Sequence, residues 1–396
     1  MREKVIFTTV VLSMLVNKIS NPNTSADAII IGGGVIGLTI ARVLAQRGVR
    51  QITLIERGRL GAEASWAAGG ILAPQVEVDH KDAFFQLACA SRDLYPEFAA
   101  SLKEETGVDV ELDTTGTLCL AFTPEDETEL RHRYKWQQDE GLEIDWLTGD
   151  QVRRLESWVS DKVVCGLRFP RDFQIDNRRL ISALVRANEE LGVQLVTGLS
   201  VKAIRIEHER VGGVETTSGF VDAPIVVVAA GAWSSLINLP SLRSFEIEPV
   251  RGQMLCFAAC PQIARHVLYS ANGYLVPRRD GRVLAGSTAE HAGFDKSVNQ
   301  EGIDAIRSMA LEIVPGIAAL PMIDSWAGFR PRATDGLPVL GSSAAAAGLF
   351  YATGHYRNGI LLAPITGKVL AGEIVDGMVP ANLEAFSPNR FGLNGS

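Results

Sequence analysis

Residues 28–57 read AIIIGGGVIGLTIARVLAQRGVRQITLIER and decide how this chain folds. Residues 28–31 form a short apolar run that stops at three glycines, and residues 35–48 then place apolar side chains at helical spacing. Residues 51–57 are interpreted as a second strand. A strand, a glycine turn, a helix and a second strand form a βαβ unit, which predicts a parallel sheet buried on both faces.

The glycine turn carries the pattern Gly32-x-Gly34-x-x-Gly37. The first glycine permits the tight turn, the second lets a pyrophosphate approach the backbone, and the third packs the helix on the strand. Glu56 ends the second strand, where a carboxylate can accept both ribose hydroxyls. Glycine turns also arise for purely structural reasons, but this context favours a dinucleotide without a 2′-phosphate. NAD and FAD share the fingerprint.

Composition limits the classes of function that remain. The chain has 396 residues, enough for about two domains, and 46% of them are hydrophobic, as is usual for a large core. A net charge of −8 argues against nucleic acid as a partner, because phosphate binding needs a basic patch. The five cysteines show no CxxC pair and there is no HExxH motif, so we expect no metal site and reduced thiols in the cytoplasm.

The N-terminus contains an apolar stretch, Val5–Val16, behind Arg2 and Lys4. Its 12 residues are well short of the roughly 20 that span a bilayer. The small-residue triplet at 26–28 runs into the first strand and makes a poor cleavage site. Residues 1–25 are therefore interpreted as an extension that does not insert stably into a membrane.

Later segments divide into two kinds. Apolar runs at 225–231 and 349–354 end in glycine and are assigned to the parallel sheet, and residues 358–377 follow as a helix. Residues 176–193 predict an amphipathic helix, and residues 201–224 a small antiparallel meander. Longer strands of mixed polarity lie between these pieces, at 115–122, 248–257, 274–278 and 281–288.

The longer strands of mixed polarity predict an antiparallel sheet built from two insertions into a Rossmann-like domain. The fold class is therefore α/β locally and α+β overall. The nucleotide-binding domain is then expected to comprise residues 26–82, 168–243 and 326–390. The substrate-binding domain is expected to comprise residues 83–167 and 244–325.

Two further segments favour FAD over NAD. Residues 64–74 (ASWAAGGILAP) are small and suit backbone lying close to a cofactor, although a tight loop would have the same composition. Residues 354–360 (GHYRNGI) form a second strand-to-helix turn, where a helix N-terminus presents positive dipole and free N–H groups. Reduced flavin is anionic near N(1), whereas a nicotinamide ring needs no such stabilisation.

With these motifs in place, the chain resembles the D-amino-acid oxidase superfamily of flavoproteins, and within it the glycine oxidases (ThiO type) of the thiamine thiazole pathway. The resemblance covers residues 28 to 380 and rests on the segments IGGGVIG, LIERG, ASWAAGGILAP, PVRGQ, GFRPRATDGLPVLG and GHYRNGILLAP. It implies an FAD-binding domain of the glutathione-reductase type. Because residues 326–341 contain no Cys and residues 60–74 no His, it implies non-covalent FAD.

The resemblance also implies which residues contact FAD. Val201 is expected to meet the adenine through its backbone, Gly231 to lie near the cofactor, and the last segment to lie near the flavin ring. The full set is Gly32, Gly34, Val35, Ile36, Gly37, Glu56, Arg57, Ala64, Ser65, Gly69, Gly70, Ile71, Val201, Gly231, Tyr356, Arg357, Asn358, Gly359, Ile360, Leu361 and Leu362.

Oxidation of an amino acid by hydride transfer to flavin requires orientation more than a base, and a planar guanidinium grips the α-carboxylate in two places. By the family pattern Arg330 is that arginine, Tyr274 completes the clamp and Arg357 adds positive charge. Tyr274 could equally be a half-buried strand aromatic, and Arg357 could bond loop carbonyls. Arg332 is interpreted as solvated. Asn272 stands where some relatives carry a histidine.

The resemblance implies oxidation of glycine, sarcosine or small D-amino acids to an imine, with dioxygen reduced to hydrogen peroxide. The imine would hydrolyse to glyoxylate and ammonia or pass to thiazole synthase, and the assembly would be a homotetramer. The apolar N-terminus keeps a D-amino-acid dehydrogenase that reduces a membrane quinone as an alternative. A non-catalytic flavin-binding module and an NAD-dependent dehydrogenase are further alternatives.

Overall fold

The computed structural model describes residues 25–239, 245–260 and 262–392, so the extension expected before residue 25 lies outside the described residues. The described strands are β1 Ala28–Ile31, β2 Ile52–Glu56, β3 Ile71–Leu72, β4 Thr117–Ala121, β5 Asp145–Thr148, β6 Cys165–Phe169, β7 Phe173–Gln174, β8 Gln194–Thr197, β9 Val201–Glu207, β10 Arg210–Thr216, β11 Gly219–Asp222, β12 Val226–Val228, β13 Ile247–Ala258, β14 Val267–Ser270, β15 Gly273–Pro277, β16 Arg282–Gly286, β17 Met322–Ala333, β18 Val339–Ser342 and β19 Leu349–Thr353.

The described α-helices follow the apolar periodicity of the sequence. They are α1 Val35–Gln46, α2 Ala64–Ala67, α3 Pro74–Glu77, α4 Ala83–Thr106, α5 Pro124–Asp139, α6 Gly149–Leu155, α7 Asn177–Glu190, α8 Gln300–Ile313 and α9 Gly359–Asp376. Asp176 caps α7 by accepting the backbone N–H groups of Arg178 and Arg179. Helix α9 continues through Pro364.

A six-stranded sheet has the order β18-β19-β12-β1-β2-β8. Its strands from β19 to β8 are parallel, and β18 pairs antiparallel with β19 at the edge. Ile30 and Leu54 point to the side that α1, α4, α7 and α9 cover, whereas Ile29 and Ile31 pack towards the meander β9–β11. The prediction of a parallel sheet buried on both faces is confirmed.

An eight-stranded sheet has the order β17-β13-β16-β15-β14-β4-β6-β5 and is antiparallel except where β14 pairs with β4. One face packs against α8 through Ile306 and Met309. The other face carries Met254, Tyr269 and Trp326 and packs against Ala67 of α2. The mixed-polarity segments therefore form the antiparallel sheet expected of them, and the chain has the fold class that the sequence predicts.

The predicted domain boundaries stay a prediction. Strand β6 spans the proposed limit at residue 168 and β17 spans the one at residue 326, and both strands lie wholly within the eight-stranded sheet. The turn between β9 and β10 of the meander lies at His208–Glu209. No helix in the described parts of the chain has the length and hydropathy that a membrane crossing needs.

Candidate functional site

A cavity of about 390 Å³ extends from the carboxyl ends of β1 and β2 to the face of the eight-stranded sheet. Most of the predicted site residues line it, from Gly32 at one end to Arg330 at the other. We refer to these two ends as the dinucleotide end and the substrate end.

Backbone builds the dinucleotide end. Gly32 has φ +113°, and a Cβ there would overlap the carbonyl of Ala229. A Cβ on Gly37 would overlap the carbonyl oxygen of Gly32, so both positions require glycine for close approach. The carboxylate of Glu56 accepts the N–H groups of Gly33 (2.8 Å) and Gly58 (2.7 Å), which holds it beside the turn.

The N-terminus of α1 faces the cavity through Gly34, Val35 and Ile36. Gly34 offers no side-chain cap; instead the N–H of Val35 donates to Oγ of Ser65 at 3.0 Å. The first N–H groups of a helix lack intrahelical partners and carry the positive end of the macrodipole. This end of the cavity is therefore suited to the pyrophosphate of a dinucleotide.

Arg57 closes one side of the dinucleotide end. Its guanidinium lies 3.7 Å from the ring centroid of Trp233 and pairs with Glu63 at 3.5 Å. Val201, at the start of β9, and Gly231 also line the cavity. Trp233 had no sequence signal of its own.

The loop from Ala64 to Ile71 lies along the middle of the cavity. Hydrogen bonds from two buried side chains to its carbonyl groups hold it in place. Asn177 donates to the carbonyl of Ser65 at 2.7 Å, and buried Arg278 donates to the carbonyl of Gly69 at 2.8 Å. Burial lowers the pKa of Arg278 to about 10. Sequence reasoning missed Asn177 and Arg278, because only tertiary pairing brings them under this loop.

Residues 354–360 form the expected turn between β19 and α9, and Tyr356 adopts φ +49° within it. His355 is 3% exposed, its Nε2 lies 3.1 Å from Oγ1 of Thr366, and burial lowers its pKa to about 3. The imidazole is thus neutral at physiological pH and shapes the turn.

Four predicted residues do not line the cavity, namely Gly37, Asn358, Leu361 and Leu362.

Arg330 lies at the substrate end on β17. Its Nη1 donates to the carbonyl of Thr288 at 2.9 Å and its Nη2 to Oγ of Ser287 at 2.6 Å. A Cβ on Gly252 would overlap the guanidinium, so the guanidinium lies flat against the backbone of β13. The hydroxyl of Tyr274 lies 3.3 Å from the same Ser287 oxygen. The structure therefore brings the two predicted clamp residues together.

Arg357 reaches the same region but carries a counter-charge. Its Nη2 lies 3.3 Å from Oε1 of Glu77, which also accepts the hydroxyl of Tyr269 at 2.9 Å. Glu77 lines the cavity and raises the pKa of Arg357 further above its usual value. Glu77, Ser287 and Gly252 had no sequence signal, because their importance depends on which strands pair.

The two remaining sequence predictions concern residues away from the cavity wall. Arg332 lies 3.9 Å from Glu248 with its side chain 38% exposed, as a solvated charge would. Asn272 is exposed and donates to Glu312 at 3.2 Å. No group of His, Cys, Asp or Glu side chains among the described residues could hold a metal ion.

Together these features define a dinucleotide-dependent oxidoreductase site, with a backbone cradle at one end and a cationic clamp at the other. The chain belongs to the FAD dependent oxidoreductase (DAO) family, which it matches over residues 27–373. FAD is accordingly its cofactor. The residues present fit FAD: the N-terminus of α1 suits the pyrophosphate, Glu56 suits the ribose, and the turn at Tyr356 leaves a helix N-terminus near the substrate end.

The similar proteins of known name include several glycine oxidases. It is 35% identical over 367 residues to "Glycine oxidase" from Geobacillus kaustophilus, covering 92% of this chain and 97% of that one. The crystal structure of glycine oxidase from the same species gives a TM-score of 0.89 at 34% identity, covering 93% of this chain and 99% of that one.

A second kind of relative is longer. The chain is 36% identical over 375 residues to "Bifunctional protein ThiO/ThiG" from Synechocystis, covering 93% of this chain but 54% of that protein. This chain therefore spans about half the length of that relative.

Proposed function

We propose that this protein oxidises glycine and related small amines, including sarcosine and small D-amino acids. Bound FAD supplies the two-electron chemistry by accepting a hydride from the α-carbon. From glycine the product is an imine, which hydrolyses to glyoxylate and ammonia, and dioxygen takes up the electrons as hydrogen peroxide.

The observation that carries this proposal is the convergence of Arg330 and Tyr274. Among the described residues no carboxylate pairs with Arg330, although it lines the cavity. Two of its five N–H donors are used by Ser287 and Thr288, which leaves three for a ligand. A free, planar guanidinium beside a phenol hydroxyl is suited to an α-carboxylate.

In this scheme the chain's own groups orient the substrate. Arg330 binds the carboxylate, Tyr274 fixes one of its oxygens, and the α-carbon is thereby held in one position relative to the turn at Tyr356. Holding a reactant in a productive orientation lowers the barrier without any proton transfer. The neutral, buried His355 takes no part in this binding.

The similarity to ThiO/ThiG supports a place in thiazole synthesis for thiamine, with the imine or glyoxylate passing to a thiazole synthase. A cytoplasmic location, a homotetrameric assembly and non-covalent attachment of FAD stay predictions of the sequence. For the last of these, acid denaturation should release the yellow colour into the supernatant.

The test is an aerobic peroxide assay with glycine, sarcosine and both alanine enantiomers, on wild type and two arginine variants. Arg330→Ala should raise the Michaelis constant for glycine at least about 30-fold, because a charge-assisted clamp is lost, while FAD stays bound. Arg332→Ala is the matched control, two residues along the same strand, and should leave it unchanged.

An unchanged Michaelis constant in Arg330→Ala would overturn the assignment of the clamp. Reduction of an artificial electron acceptor by glycine without peroxide would instead favour the dehydrogenase that passes electrons to a membrane quinone.

A further inference from the structure

The hydroxyl of Ser287 lies between the two residues of the proposed clamp. Its oxygen accepts Nη2–H of Arg330 at 2.6 Å and lies 3.3 Å from the phenol oxygen of Tyr274, so that when the serine O–H donates to the phenol oxygen, the phenol O–H stays available to a carboxylate. Ser287 follows directly after β16. One serine oxygen therefore fixes the distance between a cation on β17 and a phenol on β15.

The segment that carries Ser287 is itself firmly held. Oγ1 of Thr288 accepts the backbone N–H of Gln253 at 2.9 Å and donates to Oε1 of Glu290 at 2.5 Å. Glu290 is paired in turn with Arg251 at 2.5 Å, and their backbones exchange two hydrogen bonds of 2.9 Å. Ser287 is thus attached to β13 through a charged, part-buried network and has little freedom to follow its ligands.

The segment that carries Ser287 holds the guanidinium of Arg330 in one orientation. Ser287 and the Thr288 carbonyl take one N–H from each terminal nitrogen of Arg330, and Gly252 lies beneath the guanidinium plane. The second N–H of each terminal nitrogen and the Nε–H remain available to a carboxylate. An arginine fixed in advance loses less side-chain entropy when it binds its ligand.

We infer that Ser287 is a positioning residue for carboxylate recognition, acting through Arg330 and Tyr274 rather than on the substrate itself; this inference rests on the proposed function. Its hydroxyl sets the relative placement of the cation and the phenol. It therefore contributes to the affinity for amino acids and contributes nothing to the affinity for amines that lack a carboxylate.

The experiment compares three holoenzyme variants with wild type. Ser287→Ala removes the hydroxyl, and Ser287→Thr and Ser287→Val have nearly the same shape but differ in that group. Ser182→Ala, on the exposed face of α7, serves as the control. The readouts are the kinetic constants for glycine, the dissociation constant of acetate from the flavin absorbance, and the FAD content.

We expect Ser287→Ala and Ser287→Val to raise both the Michaelis constant for glycine and the acetate dissociation constant about tenfold, because a hydrogen bond to a charged group is lost. The turnover number should stay within about twofold, and Ser287→Thr should restore both affinities, as a merely structural role would not. FAD content should be unchanged throughout.

Equal affinities in Ser287→Val and Ser287→Thr, or an unchanged acetate constant in Ser287→Ala, would overturn the inference while the proposed function stands. If wild type neither oxidises glycine nor binds acetate, the proposed function fails and the role of Ser287 fails with it.

Discussion

The two ends of the cavity are built in opposite ways. At the dinucleotide end, backbone from the β1–α1 turn lines the cavity, and the glycines matter because they leave room. At the substrate end, side chains from β13, β15 and β17 converge, and their charges matter. The glycine turn and Glu56 of the first end lie within 30 consecutive residues, whereas the second end depends on strands far apart in the sequence.

The electrostatics of the two ends differ as well. The dinucleotide end offers partial charges of the helix macrodipole beside Glu56. The substrate end offers the full charges of Arg330 and of the pair Arg357–Glu77. Cofactor affinity and substrate affinity should therefore be separable by substitution, and the first three variants below are each designed to change only one of them.

The largest effect is expected from Gly37→Ala. A Cβ there would overlap the carbonyl oxygen of Gly32, so the turn must move and the N-terminus of α1 with it. We expect FAD affinity to fall about 100-fold, measured by titration of the apoprotein with FAD. In the control Gly372→Ala the nearest atom to the new Cβ is 3.8 Å away, and FAD should bind normally. Normal FAD binding by Gly37→Ala would contradict the backbone cradle.

Gly252→Ala should weaken substrate binding at the substrate end without affecting FAD binding. Its Cβ would displace the Arg330 guanidinium, and a misplacement of about 1 Å can cost up to about 100-fold in catalysis. We expect the Michaelis constant for glycine to rise about 10- to 100-fold with full FAD content. Gly212→Ala on β10, where the new Cβ is 4.0 Å from its nearest neighbour, should have no effect. Loss of FAD from Gly252→Ala would show that the two ends are not separable.

Glu77→Gln tests how the counter-charge on Arg357 affects substrate binding. Removing this carboxylate frees the charge of Arg357, so the carboxylate of glycine should bind better and the Michaelis constant for glycine should fall about threefold. The effect should weaken as salt is added. Glu63→Gln, which removes a carboxylate at the dinucleotide end, should leave that constant alone. A higher constant in Glu77→Gln would mean that the pair Arg357–Glu77 itself orients the substrate.

The smallest effect on catalysis, and a distinct effect on stability, is expected from His355. Because burial lowers its folded pKa to about 3 from 6.5, its contribution is fully present above pH 6.5 and is lost as pH falls towards 3. The free energy of unfolding should fall by about 1.4 kcal/mol per pH unit from this residue alone. Denaturant titrations of His355→Gln should show a shallower pH dependence than those of His132→Gln, an exposed control on α5. Equal slopes would contradict a buried, neutral imidazole.

The same contrast explains how far sequence reasoning reached. The unit β1–α1–β2 was predictable because a contiguous pattern fixes it, and helix α7 (Asn177–Glu190) lies within the amphipathic helix predicted at residues 176–193. Arg330 and Tyr274 were identified by the family pattern. Ser287 and Gly252 were not identifiable, because their roles follow from the pairing of β13 with β16 and β17. Glu77 was not identifiable, because its role follows from the ion pair that it forms with Arg357, far away in the sequence.

The central claim is that a small amino acid reduces the flavin of this protein. Glycine added to the FAD-loaded protein without oxygen tests it most directly, with absorbance read before and after air is admitted. We predict that glycine bleaches the flavin and that air restores the colour with formation of peroxide. A flavin left unbleached by glycine, sarcosine and both alanine enantiomers would contradict the account.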